Sequence, residues 1–205
     1  MTEAVIYGIF PTPVYRSELG RELTSSELTF ADKIKKDCWG GIGNINSKNN
    51  YILNEEPFTD IKKELDKKIQ DYFNKVISTT NQVTPYITQS WLNYTETNQY
   101  HHRHEHPNSL VSGVFYINCD ENFDKIAFFK KDTYQHIKPK VKDWNEWNSE
   151  SWFFELKTGD IILFPSSLSH MVETKKGNNT RISLAFNTFY KGTIGSNSNL
   201  TELIL

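Results

Sequence analysis

Histidines are concentrated in one short stretch of this 205-residue sequence. Four of the six lie within six consecutive positions, at His101, His102, His104 and His106. Side chains two positions apart share a face on an extended segment, so His104 and His106 can direct two imidazoles at one metal ion. A solvated polar turn, a fortuitous histidine tract and core histidines satisfied by their neighbours compete with this interpretation. A register that uses His102 and His104 also stays open.

A third metal ligand must come from a distant segment, and His170 is the candidate. It follows the apolar run 161–164, which ends at Pro165. A lone histidine between a turn and a strand is more often structural than a ligand. The pair His104 and His106, which ends 64 positions earlier, nevertheless favours a ligand role for His170. We therefore predict a metal site made of His104, His106 and His170.

The segment 181–187 alternates between apolar and small polar side chains, as a strand with two different faces does. Arg181 and Ser183 fall on the same face, where a guanidinium fork and a hydroxyl can together hold a carboxylate. By the same alternation Tyr116 lies on a mixed polar face of the segment 112–118 and can offer its hydroxyl to the same anion. The alternative interpretation is that these faces are exposed to solvent.

The rest of the sequence predicts the elements that position these residues. Helical periodicity occurs over 23–37 and 59–78, with Thr59 as the N-cap of the second helix. After Val83 the apolar period falls towards two, which indicates strands. Strands are predicted at 84–95, 110–119, 125–130, 151–156, 160–165, 169–174 and 180–190, with edge strands at 4–9 and 12–16. This order is typical of a mostly β sandwich or jelly roll with flanking helices packed on one face.

Length and composition limit the number of domains and the classes of binding partner. We predict a single domain over 1–205, with N-terminal strands and buttressing helices in 1–82, a jelly-roll core in 83–191 and a C-terminal tail in 192–205. A net charge of −2 disfavours general nucleic-acid binding. No apolar run is long enough for a membrane span and the start lacks a signal-peptide pattern, so we expect a cytoplasmic protein. Its N-terminal edge strands could pair in a homodimer.

Tryptophans are frequent near the predicted surface loop 133–149. Trp144 and Trp147 lie in this loop, and Trp152 follows it. They are interpreted either as a wall of a substrate site or as residues that pack the loop itself.

Three ordered motifs resemble a subgroup of iron(II)- and 2-oxoglutarate-dependent oxygenases that is found in bacteria and bacteriophages. The first is HxHPxSxxSGVxY, from His104 to Tyr116; the second is GDxxxFPxxxxH, which ends at His170; the third is RISxxFN, which begins at Arg181. The resemblance covers roughly 84–190, and the opening segment 8–15 is also similar.

This resemblance implies a double-stranded β-helix, the cupin-like form of the jelly roll, with Fe(II) near its open end. The three histidines would bind Fe(II), while Arg181 and Ser183 would bind the far carboxylate of 2-oxoglutarate. Arg181 lies 11 positions after His170, close to the family's spacing. The implied function is a dioxygenase that uses 2-oxoglutarate and dioxygen to hydroxylate a C–H bond in an unidentified substrate, either a peptide side chain or a small molecule.

The second ligand position departs from the wider superfamily, which has a carboxylate where this sequence has His106. Replacing an anion by a neutral imidazole raises the net charge of the iron site. Three-histidine iron sites occur in cupin-like thiol dioxygenases, so a dioxygenase that does not use 2-oxoglutarate is one alternative function. A metal-binding jelly roll without turnover is another, and it would not need Arg181.

Overall fold

The computed structural model describes residues 4–41, 43–131, 137 and 139–205. Within these ranges the chain forms two α-helices, α1 (Ser25–Ile34) and α2 (Thr59–Tyr72). Short 3-10 turns precede α2 at Ile52–Asn54 and Glu56–Phe58, and a π-helical turn follows it at Phe73–Ile77. The strands are β1 (Tyr15–Glu18), β2 (Cys38–Gly40), β3 (Ile45–Ser47), β4 (Val83–Thr95), β5 (His101–His104), β6 (Val111–Asn118), β7 (Lys125–Phe129), β8 (Ser151–Glu155), β9 (Asp160–Pro165), β10 (His170–Val172), β11 (Arg181–Ile194) and β12 (Leu203–Ile204).

The strands form two antiparallel sheets. The larger sheet has the order β1-β9-β6-β11-β4-β3-β2, and β12 pairs with the end of β11. The smaller sheet has the order β5-β10-β7-β8. One face of each sheet contributes residues to a shared apolar core, so the two sheets lie face to face. This arrangement confirms the predicted mostly β jelly roll.

Helices cover the outer face of the larger sheet. A capping box starts α1, since the Thr24 hydroxyl accepts from the Glu27 N–H at 3.2 Å and the Glu27 carboxylate accepts from the Thr24 N–H at 2.7 Å. In α2, apolar residues recur every four positions, so they form one stripe that packs on the sheet. This core contains Ile61, Leu65 and Ile69 of α2 and Leu92, Phe115, Leu163, Leu184 and Phe186 of the sheet. The predicted helical layer is therefore confirmed.

A second core fills the space between the sheets. It contains Val114, Tyr116, Ile162 and Phe164 from the larger sheet and Ile126 and Phe128 from the smaller one. Neighbouring positions on β6 thus point in opposite directions: Phe115 contacts the helical layer, whereas Tyr116 faces the interior of the sandwich. The predicted two-faced character of this strand is confirmed, and its mixed polar face is buried rather than exposed to solvent.

Two predicted details at the ends of α2 are wrong. Phe58, not Thr59, is the N-cap residue. The Thr59 hydroxyl donates to the Glu56 carbonyl at 2.8 Å, so it serves the preceding 3-10 turn instead of capping the helix. At the other end the α-helical backbone widens after Tyr72 into the π-helical turn, which stops at Ser78 in a left-handed conformation with φ of 48°.

The N-terminal prediction is also partly wrong. Residues 4–9 form no strand, and the edge strand predicted at 12–16 is β1, which begins at Tyr15. The sequence has no periodic signal for β2, β3 and β5, which were not predicted. Residues 133–136 and 138 of the predicted loop lie outside the described residues. None of the described helices is long and apolar enough to cross a membrane.

Candidate metal and anion site

Three histidines converge between β5 and β10. His104 is the last residue of β5 and His170 the first of β10, and the antiparallel register pairs them directly. His106 follows two positions later, held in place by its backbone N–H, which donates to the Ser166 carbonyl at 3.0 Å. One ring nitrogen from each of the three lies within 4.8 Å of the others. The predicted residues are thus brought together at one point.

Backbone carbonyls orient two of these imidazoles. Nδ1 of His104 lies 2.8 Å from the His102 carbonyl, and Nδ1 of His170 lies 3.0 Å from the Leu168 carbonyl. A carbonyl oxygen only accepts, so both Nδ1 atoms carry the proton and both Nε2 atoms keep a free lone pair. Nε2 of His106 lies 3.3 Å from Nε2 of His170. The Nε2 atoms of His104 and His170 are thus available to a metal ion.

The surroundings keep the three imidazoles uncharged at neutral pH. Burial lowers the pKa of His106 to about 4 and that of His170 to about 3, and it lowers the pKa of His104 as well. Aromatic rings supply part of this burial: the Phe164 ring centre lies 4.6 Å from that of His170, and the Trp91 ring centre 5.9 Å from that of His106. Neutral imidazole is the form that binds a metal ion.

The other histidines of the cluster do not join this set. His102 is exposed and lies outside the three-residue group of potential ligands, as does the exposed Glu105. His101 stacks on His104 with ring centres 4.5 Å apart, and its Nδ1 lies 3.3 Å from the Asn44 amide nitrogen. The geometry therefore favours the register of His104 and His106 over that of His102 and His104.

A polar group lies on the inner face of the larger sheet. Arg181 and Ser183 are two positions apart on β11, and the register places Ser183 opposite Tyr116 on β6. Their exposed fractions are 2 % for Arg181, 8 % for Ser183 and 1 % for Tyr116. Burial raises the pKa of Tyr116, so its hydroxyl keeps the proton and can donate. The structure brings these three predicted residues together as well.

The hydroxyls of Tyr116 and Ser183 have no hydrogen-bond partner among the described residues. Donors of this kind beside a buried guanidinium fit a carboxylate, which accepts at both oxygens. The polar group is therefore suited to bind an anion inside the sandwich.

Sequence reasoning missed two residues of this group, Asp124 and Lys175. Asp124 lies just before β7 and accepts from Arg181 Nη1 at 3.2 Å, and Lys175 Nζ lies 3.2 Å from both Asp124 carboxylate oxygens. Both side chains are completely buried. Neither residue stands in a distinctive motif, and Lys175 is followed by the exposed Lys176. No pattern in the sequence distinguishes the buried lysine from its neighbour.

A cleft of about 900 Å³ opens beside β8. Trp147, Trp152, Phe128 and Leu168 contribute to its wall, together with the N-terminal segment 7–12. The cleft and the metal site share Leu168, which lines the cleft and whose carbonyl accepts the hydrogen bond of His170. Trp144 is exposed and does not line this cleft. Of the three tryptophans that the sequence singled out, Trp147 and Trp152 thus line this cleft.

Comparisons with known proteins point to one family. Residues 89–187, just under half of the chain, match the model of a family described as "Putative 2OG-Fe(II) oxygenase". This stretch contains all three histidines together with Tyr116, Arg181 and Ser183. No curated protein matches the sequence.

Several solved structures share this fold. A Pseudomonas putida prolyl-4-hydroxylase is 11% identical, with 86% of this chain and 92% of that chain covered and a TM-score of 0.57. HygX from Streptomyces hygroscopicus, with nickel, 2-oxoglutarate and hygromycin B bound, is 11% identical, with 86% and 82% covered and a TM-score of 0.57. A Trichoplax adhaerens prolyl hydroxylase in complex with a hypoxia inducible factor peptide fragment is 12% identical, with 86% and 83% covered and a TM-score of 0.59. At these identities the likeness concerns the fold.

Proposed function

We propose that this protein is an iron(II)- and 2-oxoglutarate-dependent dioxygenase. His104, His106 and His170 hold Fe(II) through their Nε2 atoms, and Arg181, Ser183 and Tyr116 hold the far carboxylate of 2-oxoglutarate. The family match over 89–187 supports this assignment, because that stretch contains every one of these residues.

The observation that carries the proposal is the pairing of a potential metal site with a buried anion site inside one sandwich. 2-Oxoglutarate has two unlike ends: a 2-oxo acid, which chelates a metal, and a distal carboxylate, which needs cationic and hydroxyl donors. The histidines suit the first end, and the Arg181 group suits the second. A jelly roll that only held a metal ion would not need this second group of anion-binding residues.

Each group of residues has a separate task in the reaction. When bound, Fe(II) couples the oxidative decarboxylation of 2-oxoglutarate by dioxygen, which yields succinate and carbon dioxide, to the hydroxylation of a C–H bond. The hydrogen bonds from His104 and His170 to carbonyls fix both imidazoles before the metal arrives. Phe128 and Phe164 exclude water from one side of His170.

The substrate is a peptide side chain or a small molecule that enters through the cleft beside β8. Trp147 and Trp152 form part of its wall, where aromatic rings can cover an apolar substrate portion. A cytoplasmic location and a homodimer remain predictions from the sequence.

Succinate formation tests this function. Full-length protein is incubated with Fe(II), 2-oxoglutarate, ascorbate and air, and succinate is measured by chromatography. We expect metal-dependent succinate that falls to background in Arg181→Ala. Dioxygen consumption that does not depend on 2-oxoglutarate would support the three-histidine dioxygenase instead. Metal binding without any turnover would support the inert metal-binding module.

A further inference from the structure

Two cations share one carboxylate beside the anion site. Asp124 Oδ1 lies 3.2 Å from Arg181 Nη1, and both Asp124 oxygens lie 3.2 Å from Lys175 Nζ. The exposed fractions of the three side chains are 0% for Asp124, 0% for Lys175 and 3% for Arg181. This cluster, Asp124–Lys175–Arg181, therefore holds one more positive than negative charge away from water.

The cluster is a built feature of the fold rather than a chance meeting of surface chains. The Lys175 backbone is fixed on both sides, because its N–H donates to the Gln99 carbonyl at 2.8 Å and its carbonyl accepts from the Asn98 N–H at 2.9 Å. Gly177 leaves room beside the cluster, since a Cβ at that position would lie 2.6 Å from Asp120 Oδ2 and 3.2 Å from Lys175 Nζ. The Asp124 carboxylate is also held by the Asp120 N–H at 2.8 Å.

An unbalanced buried charge is costly, and a ligand of opposite charge relieves that cost. Without Lys175, the Asp124 carboxylate would neutralise Arg181 completely and would compete with any incoming carboxylate for its guanidinium. With Lys175 present, Asp124 is neutralised by the lysine and still orients Arg181 through one hydrogen bond. The positive charge of Arg181 then remains available on the side that Ser183 and Tyr116 face.

We propose that Lys175 is a positioning residue for the co-substrate: it neutralises Asp124 so that Arg181 keeps a net positive charge for the distal carboxylate of 2-oxoglutarate. This inference rests on the proposed function. Lys175 acts through Asp124 and Arg181, and it needs no contact with the co-substrate itself.

Charge-restoring variants test this role. The affinity of anaerobic, Fe(II)-loaded protein for 2-oxoglutarate is measured by calorimetry for the wild type, Lys175→Met and the double variant Lys175→Met/Asp124→Asn. Removing one charged partner of a buried cluster has a large effect, so we expect Lys175→Met to weaken binding at least about tenfold. The double variant has the wild-type net charge again, and the amide oxygen that Asp124→Asn introduces can still accept from Arg181. We expect its affinity to return to within about threefold of the wild type, because the two substitutions are energetically coupled.

The matched control is Lys176→Met, which removes the neighbouring exposed lysine and should leave affinity unchanged. If Lys175→Met does not fold, the double variant alone decides the question. If Lys175 is needed only for packing, the double variant should also bind 2-oxoglutarate weakly. Unchanged affinity in a folded Lys175→Met, or a double variant as weak as the single one, overturns the inference while the proposed function stands. Wild-type protein that binds Fe(II) but not 2-oxoglutarate overturns both.

Discussion

His106 Nε2 lies 3.3 Å from His170 Nε2, at the position where the resembled oxygenases have a carboxylate ligand. At this distance the two Nε2 atoms can turn their lone pairs towards one metal ion. A site of three imidazoles leaves bound Fe(II) with one more unit of positive charge than a site with a carboxylate does. The dianionic 2-oxoglutarate compensates that charge, so metal and co-substrate binding should reinforce each other.

Substitution of the second ligand tests the histidine set. Loss of a residue that only hydrogen-bonds to a metal ligand already lowers metal affinity about 10–100-fold. We therefore expect loss of a direct ligand in His106→Ala to weaken Fe(II) binding at least that much. His106→Asp replaces one ligand by another and should retain binding. Competition with a coloured chelator under anaerobic conditions measures these affinities. The control is His102→Ala in the exposed part of the cluster; an equal loss there would contradict the assigned register.

The metal-free protein should lose stability in mild acid. The pKa values of His106 and His170 are about 4 and about 3 in the folded state, against 6.5 ordinarily. As the pH falls below 6.5, the unfolded chain takes up protons that the folded chain does not, so the free energy of unfolding decreases with falling pH. We expect this decrease between about pH 6.5 and 4, measured by urea denaturation in the presence of a chelator. A flat profile over that window would show that these imidazoles are not buried as described.

Gly113 on β6 tests the packing between sheet and helices. A Cβ at this position would overlap the Phe186 ring and would lie 2.7 Å from Leu163 Cδ2. Overpacking a core typically costs about 1–3 kcal/mol, so we expect Gly113→Ala to lower the free energy of unfolding by that amount. Gly40→Ala is the matched control, because a Cβ there meets nothing within 4 Å. Equal midpoints in thermal denaturation for the two variants would contradict this packing.

The sequence was most informative where periodicity and chemistry coincide. The strand predicted at 160–165 matches β9, and the alternation from Arg181 onward correctly separated the residues under the helices from those inside the sandwich. Alternation works here because each face of the larger sheet is buried against a different layer. The histidine spacing was informative for a different reason: His104 ends β5, and His106 lies two positions beyond it.

Other features depend on tertiary contacts that no local pattern encodes. β2 and β3 have three residues each, too short for a periodic signal, and exist because β3 pairs with β4. Asp124 and Lys175 meet across 51 positions, and only the fold distinguishes Lys175 from Lys176. The Thr59 error has a local cause, since a threonine hydroxyl can cap the turn behind it as readily as the helix ahead.

The central claim is that 2-oxoglutarate binds Fe(II) on the histidines while Arg181 holds its far carboxylate. The most direct measurement is an anaerobic titration of 2-oxoglutarate into Fe(II)-loaded protein, followed by the visible metal-to-ligand charge-transfer band. We predict a saturable band in the wild type and in His102→Ala, with a much higher half-saturation concentration in Arg181→Ala. Iron-loaded wild-type protein that develops no band at saturating 2-oxoglutarate would contradict the account.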